Sequence, residues 1–239
     1  MRRPLANIFW TPGTNCHLET ADALQKVGAK TKIITVYQVM KGKAKLYECD
    51  FFFLPGGFSW GDHLRAGWIS AIDFIYRFHD QFIELVRQGK PMLGICNGFQ
   101  TLAATGLLNG QIGKPKLLLD MNSSARFEHW GTTKICIHHY PGCLWTNGLD
   151  GMKMQLPVAH AEGRMVSLED NIKWDISATY ETPEGTTRYP ASPNGSPVAA
   201  ISREIYMGIM PHPERRADKG KHGGDEGLLI FENGVRAVR

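Results

Sequence analysis

Apolar positions in the first hundred residues alternate between two rhythms. Residues 7–10 form a short apolar run that ends in the turn Thr11-Pro12-Gly13-Thr14. Leu18, Ala21, Leu24 and Val27 then recur at helical spacing, and Gly28 closes that helix. Residues 32–39 are rich in β-branched side chains and predict a second strand. Residues 51–54 are wholly apolar, which predicts a central strand buried on both faces. Across residues 69–88, Ile69, Ile72, Phe74, Ile75, Phe78, Phe82, Ile83 and Val86 predict one long amphipathic helix. A fourth buried strand follows at 92–95, then a helix over 99–108.

A strand–helix alternation of this kind implies a parallel sheet covered by helices on both faces. The second half reads differently. Residues 112–165 hold short strand-like runs with little helical spacing and predict antiparallel extensions at a sheet edge. Residues 181–197 form a Pro/Gly/Ser/Thr-rich loop, 205–210 a last buried strand, and 216–227 a polar, glycine-rich and mobile stretch. Neither an internal repeat nor a dividing linker is visible, so residues 1–239 are expected to form a single α/β domain.

Composition narrows the class without naming a chemistry. The hydrophobic fraction of 43% and the charged fraction of 21% are those of a globular chain. A net charge of +4 is mild and reads as surface composition, with no signal for nucleic acid. The apolar stretch after Met1 is too short for a signal peptide, and no run is long enough to span a membrane. Five cysteines, at 16, 49, 96, 136 and 143, form no C-x-x-C pair, so no metal site is signalled and the thiols are expected to be reduced in a cytoplasmic protein.

The sharpest chemical signal is Gly94-Ile95-Cys96-Asn97-Gly98, placed where a buried strand meets a helix. Flanking glycines allow a sharp turn and close packing, which would hold a cysteine sulfur at the strand's carboxyl end, beside a helix N-terminus that favours thiolate. The same run also fits a buried core cysteine before a tight turn. A second element is Phe51-Phe52-Phe53-Leu54-Pro55-Gly56-Gly57, whose glycines could aim a backbone N–H into the site. With the N–H of Asn97, the N–H of Gly57 would make an oxyanion hole. Alone, this is equally an ordinary strand-to-loop turn. The third is Pro211-His212-Pro213-Glu214. Prolines on both sides should keep His212 extended, and residues two apart then share a side, so Glu214 could bond one ring nitrogen while the other faces Cys96. With nine histidines in the chain, one histidine proves little.

Together, LPGG, G-x-C-x-G-x-Q and PHPE resemble the class I glutamine amidotransferases. The segments GTNCHLETADAL, LPGGFSWGDHLRAG, GICNGFQTLAATGLL, LPVAHAEGR, RYPASPNGSPVAAI and GIMPHPERR are similar to the glutaminase subunits of phosphoribosylformylglycinamidine synthase, from about residue 7 to 216. The resemblance implies a flavodoxin-like three-layer αβα fold, with a mainly parallel central sheet and an antiparallel edge extension. It implies Cys96 as nucleophile, His212 as base, Glu214 as its orienter, and Gly57 and Asn97 as oxyanion donors. Gln100 would help hold the substrate glutamine, and His160 and Ala161 would line its site. It implies no cofactor on this chain. ATP and magnesium are expected on a synthase partner, and a small bridging subunit is the further partner the resemblance implies. Length and Met1 fit a separate subunit rather than a piece of a fused one.

Departures from the pattern are His17, Trp60 and residues 122–150, which follow it only loosely after Phe127. Cys16 and the other cysteines are expected to be structural or incidental. Alternatives are an amidotransferase of another pathway, a Cys-His hydrolase of the same fold and a non-catalytic subunit. In such hydrolases a histidine usually follows the elbow cysteine, whereas Asn97 follows Cys96.

Overall fold

Strands β1 (Leu5–Trp10), β2 (Lys30–Thr35), β3 (Phe51–Leu54) and β4 (Met92–Ile95) alternate with helices α1 (His17–Lys26), α2 (Val36–Met40), α3 (Trp68–Ile72) and α4 (His79–Arg87). Helix α5 (Asn97–Thr105) then leads into β5 (Leu117–Met121), β6 (Glu128–Ile137), β7 (Lys153–His160), β8 (Glu162–Ser167), β9 (Asp175–Tyr180), β10 (Val198–Arg203) and β11 (Tyr206–Ile209). Helices α6 (Lys219–His222) and α7 (Leu228–Ala237) close the chain. The computed structural model describes residues 2–170, 173–182 and 192–238. The proline-rich run expected over 181–197 falls mostly on residues 183–191, outside the described residues.

The main sheet runs β2-β1-β3-β4-β11-β10-β9-β6-β7. Its first five strands are parallel and the remaining four pair antiparallel. The expected mainly parallel sheet with an antiparallel extension is therefore present, with the extension also recruiting β9 and β10. Within 112–165, β5 and β8 leave the main sheet and pair with each other as a two-stranded ribbon.

Alternation in β3 aims its phenylalanines into two helical layers. Phe52 meets Phe74 edge-on at 6.1 Å, while Phe53 stacks on Phe231 of α7 at 6.1 Å and meets Trp145 at 5.7 Å. All four β3 residues are buried. This placement is what the unbroken apolar run required. No described helix is long and apolar enough to cross a membrane.

Two local expectations fail for identifiable reasons. The strand expected over 32–39 stops at Thr35, because Thr35 and Gln38 form a reciprocal capping box that starts α2. Its two backbone bonds, Gln38 N–H to Thr35 Oγ1 at 3.2 Å and Thr35 N–H to Gln38 Oε1 at 2.8 Å, outweigh the β propensity of Val36 and Val39. The helix expected over 69–88 is broken by a π-helical turn at Asp73–Arg77 and by Phe78, with φ −111°. There Asp73, nearly buried, accepts a bond from Trp60 Nε1 at 3.0 Å and pairs with Arg77 at 3.2 Å. The stretch 216–227, expected to be mobile, carries ion pairs from Arg216 to Glu226 at 2.9 Å and from Lys26 to Asp218 at 2.8 Å.

Candidate active site

The loops that leave the parallel strands at their carboxyl ends converge on one place, as open α/β sheets lead one to expect. Cys96 follows β4, Gly57 follows β3, the 11–16 loop follows β1 and His212 follows β11. Cys96 caps α5 with φ 53° and ψ −108°, a backbone region that non-glycine residues enter only when their surroundings force it. Its N–H is held by the Ile209 carbonyl at 2.8 Å, and its carbonyl accepts from Gln100 N–H at 3.1 Å. The turn is therefore fixed from both sides in a strained conformation, the backbone geometry expected of an elbow.

Gly57 has φ +143°, and a Cβ there would lie 2.7 Å from both Asn15 N and Gly13 O. Only glycine lets the strand end press against the 11–15 loop in this way. Asn97 lies next to Cys96 and uses its side chain to organise the neighbouring loop. Its Oδ1 accepts from Ser59 N–H at 3.1 Å, and its Nδ2 donates to Asp62 Oδ1 and to Gln100 Oε1, both at 3.0 Å.

His212 Nδ1 bonds Glu214 Oε1 at 2.6 Å, with both side chains essentially buried. The expected contact is made, but not on an extended segment. Pro213–Arg215 is a 3-10 turn, and the turn brings Glu214 back under the ring. His212 Nε2 has no hydrogen-bond partner among the described residues. Burial alone would lower the His212 pKa, but the Glu214 carboxylate and Cys96 reverse this and hold it well above the ordinary value. A buried cationic imidazole beside a thiol, with its second nitrogen free of any hydrogen bond among the described residues, suits proton transfer to and from a reacting group.

Cys96 opens onto two joined lobes that share Gly57, Phe58, Phe127 and Ala159. One, of about 130 Å³, is completed by Asn15, Cys16, His212 and Arg215. The other, of about 210 Å³, is completed by Asp62, Ala66, Gln100, His160, Ala161 and Glu162. All eight residues expected at the site thus border or adjoin one cleft. Gln100 donates to the Glu162 carbonyl, and the Ala161 carbonyl is taken by Asn122 N–H at 2.8 Å. Half-exposed Phe58 and Phe127 face each other at the mouth with ring centres 6.2 Å apart. A larger cavity, of about 750 Å³, is lined by Lys114, Lys116, Trp174 and Arg203 and contains none of the expected site residues. Its size does not make it the site, because the reactive groups are elsewhere.

Cys16 was expected to be incidental, yet it lies against the triad. Its Sγ is 4.0 Å from His212 Nδ1, donates to Asn15 Oδ1 at 3.0 Å and accepts from Arg215 at 3.2 Å. Burial pushes its thiol up to about 11, so it stays protonated. The usable sequence signal was position, since a loop after the first parallel strand belongs to the carboxyl-end cleft. Asn122 was also missed. It is almost fully buried and binds the His160 ring and carbonyl and the Gly163 N–H. Nothing in a single Asn-Ser-Ser run announces that.

Comparison with known proteins agrees with this geometry. Residues 3–236 match the CobB/CobQ-like glutamine amidotransferase domain. The chain is 35% identical to phosphoribosylformylglycinamidine synthase subunit PurQ of Dehalococcoides mccartyi, over 97% of this chain and 96% of that one. It is 36% identical to the PurQ subunit of Pyrococcus furiosus, over 95% and 96% of the two chains. A chain in the structure of PurLQS from Thermotoga maritima superposes with a TM-score of 0.80 at 28% identity, covering both chains fully. Another glutamine amidotransferase from Thermotoga maritima shares the fold over the full length of both chains, with a TM-score of 0.54 at 13% identity. This protein therefore belongs to the glutamine amidotransferases, and within them to the family of PurQ subunits.

Proposed function

We propose that this chain, a single amidotransferase domain, is the glutaminase subunit of phosphoribosylformylglycinamidine synthase, with Cys96, His212 and Glu214 as its catalytic triad. The observation that carries the reading is the 2.6 Å His212–Glu214 bond, which leaves the buried Nε2 without a hydrogen-bond partner among the described residues, at a residue that lines the same lobe as Cys96. Thiolate Cys96 attacks the side-chain carbonyl carbon of glutamine. The N–H groups of Gly57 and Asn97 hold the oxyanion, a contribution worth roughly a hundredfold or more per donor. The imidazolium of His212 gives its proton to the departing amide nitrogen, and ammonia leaves. His212 then takes a proton from water, which attacks the thioester and releases glutamate. Glu214 fixes the ring and its tautomer throughout. Gln100, His160 and Ala161 form the wall against which the substrate lies.

Ammonia released into water would be protonated and lost as a nucleophile. A synthase subunit that covers the cleft and holds ATP and magnesium would use it to convert formylglycinamide ribonucleotide to formylglycinamidine ribonucleotide. A small bridging subunit completes the assembly, and glutamine turnover by the isolated chain is low. The PurQ names of the relatives and the PurLQS neighbour support this placement. The test is Cys96→Ala in the reconstituted complex. Loss of the glutamine-dependent reaction with the ammonia-dependent one intact is the expected result. Retained glutamine turnover would refute the nucleophile, and equal rates with and without synthase subunits would refute the partner's activating role.

A further inference from the structure

The 210 Å³ lobe has an unusual donor–acceptor balance. Its polar side chains are Asp62, Gln100, His160 and Glu162, and no lysine or arginine lines it. The Gln100 amide is already bonded at both ends, to Asn97 and to the Glu162 carbonyl. The Glu162 carboxylate accepts from Ala66 N–H at 3.3 Å and lies 3.8 Å from Arg65. Of the lobe's other polar groups, two have an acceptor atom that nothing among the described residues bonds and no ion pair serves.

The first is His160. Asn122 donates through its Nδ2 to the His160 and Arg126 carbonyls, which identifies its Oδ1 as the acceptor facing His160 Nδ1 at 3.0 Å. The ring proton therefore sits on Nδ1, and Nε2 carries a lone pair. That Nε2 is buried and has no partner among the described residues. Burial and the neighbouring His212 push the His160 pKa down to about 4, so the ring remains a neutral acceptor.

The second is Asp62. It stands in a run of left-handed backbone, with φ 58° at Trp60, 71° at Gly61 and 51° at Asp62. Such strain in non-glycine residues persists only where surrounding contacts hold it, and it concentrates at working sites. Asp62 Oδ1 accepts from Asn97 Nδ2 at 3.0 Å and from Gly67 N–H at 3.3 Å. Its Oδ2 accepts nothing among the described residues, and no cation pairs with it there. Burial raises the pKa of this half-buried carboxyl group, and a cationic ligand at Oδ2 would offset the cost of keeping it charged.

We propose that Asp62 is the anchor for the α-ammonium group of the substrate glutamine, with His160 Nε2 as the second acceptor. The inference rests on the glutaminase reading above and assigns the opposite end of the same substrate. The amide end of glutamine lies at Cys96, and the amino end enters the acceptor-lined part of the lobe. Asp62 also connects substrate recognition to the triad, because Asn97, which bonds Asp62, follows the nucleophile directly. A bound ammonium thus strengthens the loop that is tied to the oxyanion side of the site.

The experiment uses the full chain assembled with its synthase subunits and the variant Asp62→Asn. Asparagine keeps an Oδ1 acceptor for Asn97 and Gly67 while removing the charge. Two ligands are compared: L-glutamine as substrate and glutaramate, which lacks only the α-amino group, as competitor. The expected result is a KM for glutamine raised at least about tenfold, the scale of one charged contact, with the Ki of glutaramate changed less than about threefold. Alkylation of Cys96 by iodoacetamide, which carries no ammonium, should keep its rate. An unchanged KM for glutamine, or equal weakening of glutamine and glutaramate, overturns the assignment. Cys96→Ala, assayed in parallel, reports separately on the glutaminase reading. If that variant still hydrolyses glutamine, the reading fails whatever Asp62 does.

Discussion

Gly98 is where helix and strand approach so closely that a single methyl group should displace the nucleophile. A Cβ at Gly98 would lie 1.8 Å from the Leu54 carbonyl oxygen and 2.8 Å from Leu54 Cβ. Both belong to β3, a central strand that cannot swing aside. Reaching a separation of 3.0 Å from that oxygen requires α5 to retreat by about 1.2 Å. Cys96 caps α5 and Asn97 begins it, so the retreat carries the elbow with it. Overpacking of this kind costs roughly 1–3 kcal/mol of stability. Misplacing reacting groups by about 1 Å costs on the order of a hundredfold in rate, equivalent to about 2.7 kcal/mol of barrier. Gly98→Ala should therefore lower the urea midpoint and cut kcat/KM for glutamine about a hundredfold, while ammonia-dependent synthesis by the complex continues. Gly131→Ala is the control, because nothing lies within 4 Å of its added Cβ. It should stay within about 0.5 kcal/mol of wild type. If Gly98→Ala unfolds and turns over like wild type, close approach of α5 to β3 does not set the position of Cys96.

Three further outcomes follow from the same contacts. Glu214→Gln removes the charge that raises the His212 pKa and leaves burial to lower it; glutamine kcat/KM should drop about 10³–10⁴-fold, and the pH profile of the residual activity should move to lower pH. A profile unmoved by the substitution would show that Glu214 does not tune the ring. The His160 pKa lies near 4 in the fold and about 6.5 in an unfolded chain, so the unfolded state binds more protons between these values. Stability present above about pH 6.5 should be lost as pH falls toward 4, and His160→Gln should flatten that slope in urea titrations. Matching slopes would contradict the assignment. Asn122→Ala leaves His160 Nδ1 and Gly163 N–H without their acceptor, and should cost about 2–4 kcal/mol and raise the KM for glutamine. A wild-type unfolding midpoint would show that water replaces the amide.

Much of this was legible in the sequence because it depends on local physics. Residues 51–54 and 92–95 read as central strands, since only burial on both faces accommodates an unbroken apolar run. The Gly-x-Cys-x-Gly turn and the His-Pro-Glu segment are short-range geometry that named the triad candidates, and the resemblance they carry implied the expected fold. The capping box at Thr35 was also there to be read, and it was missed because β-branched residues on either side obscured it.

What the tertiary structure decided depends on residues far apart in the chain. Cys16 and His212 meet across 196 positions, through loops at the carboxyl ends of two strands that are not neighbours in the sheet. The Asn122–His160 bond, which fixes the tautomer of a buried ring, spans 38 positions. The π-turn at Asp73–Arg77 answers to Trp60, a partner outside the helix it interrupts. Periodicity reports which face of an element is buried, and motif spacing reports how a turn can bend. Neither reports which polar groups meet inside the protein, because that pairing is set by how the layers close and by the need of each buried donor or acceptor for a partner. The sequence by itself determined the strands, the elbow and the candidate triad, and the closing of the layers decided which way Asp62, His160 and Cys16 face.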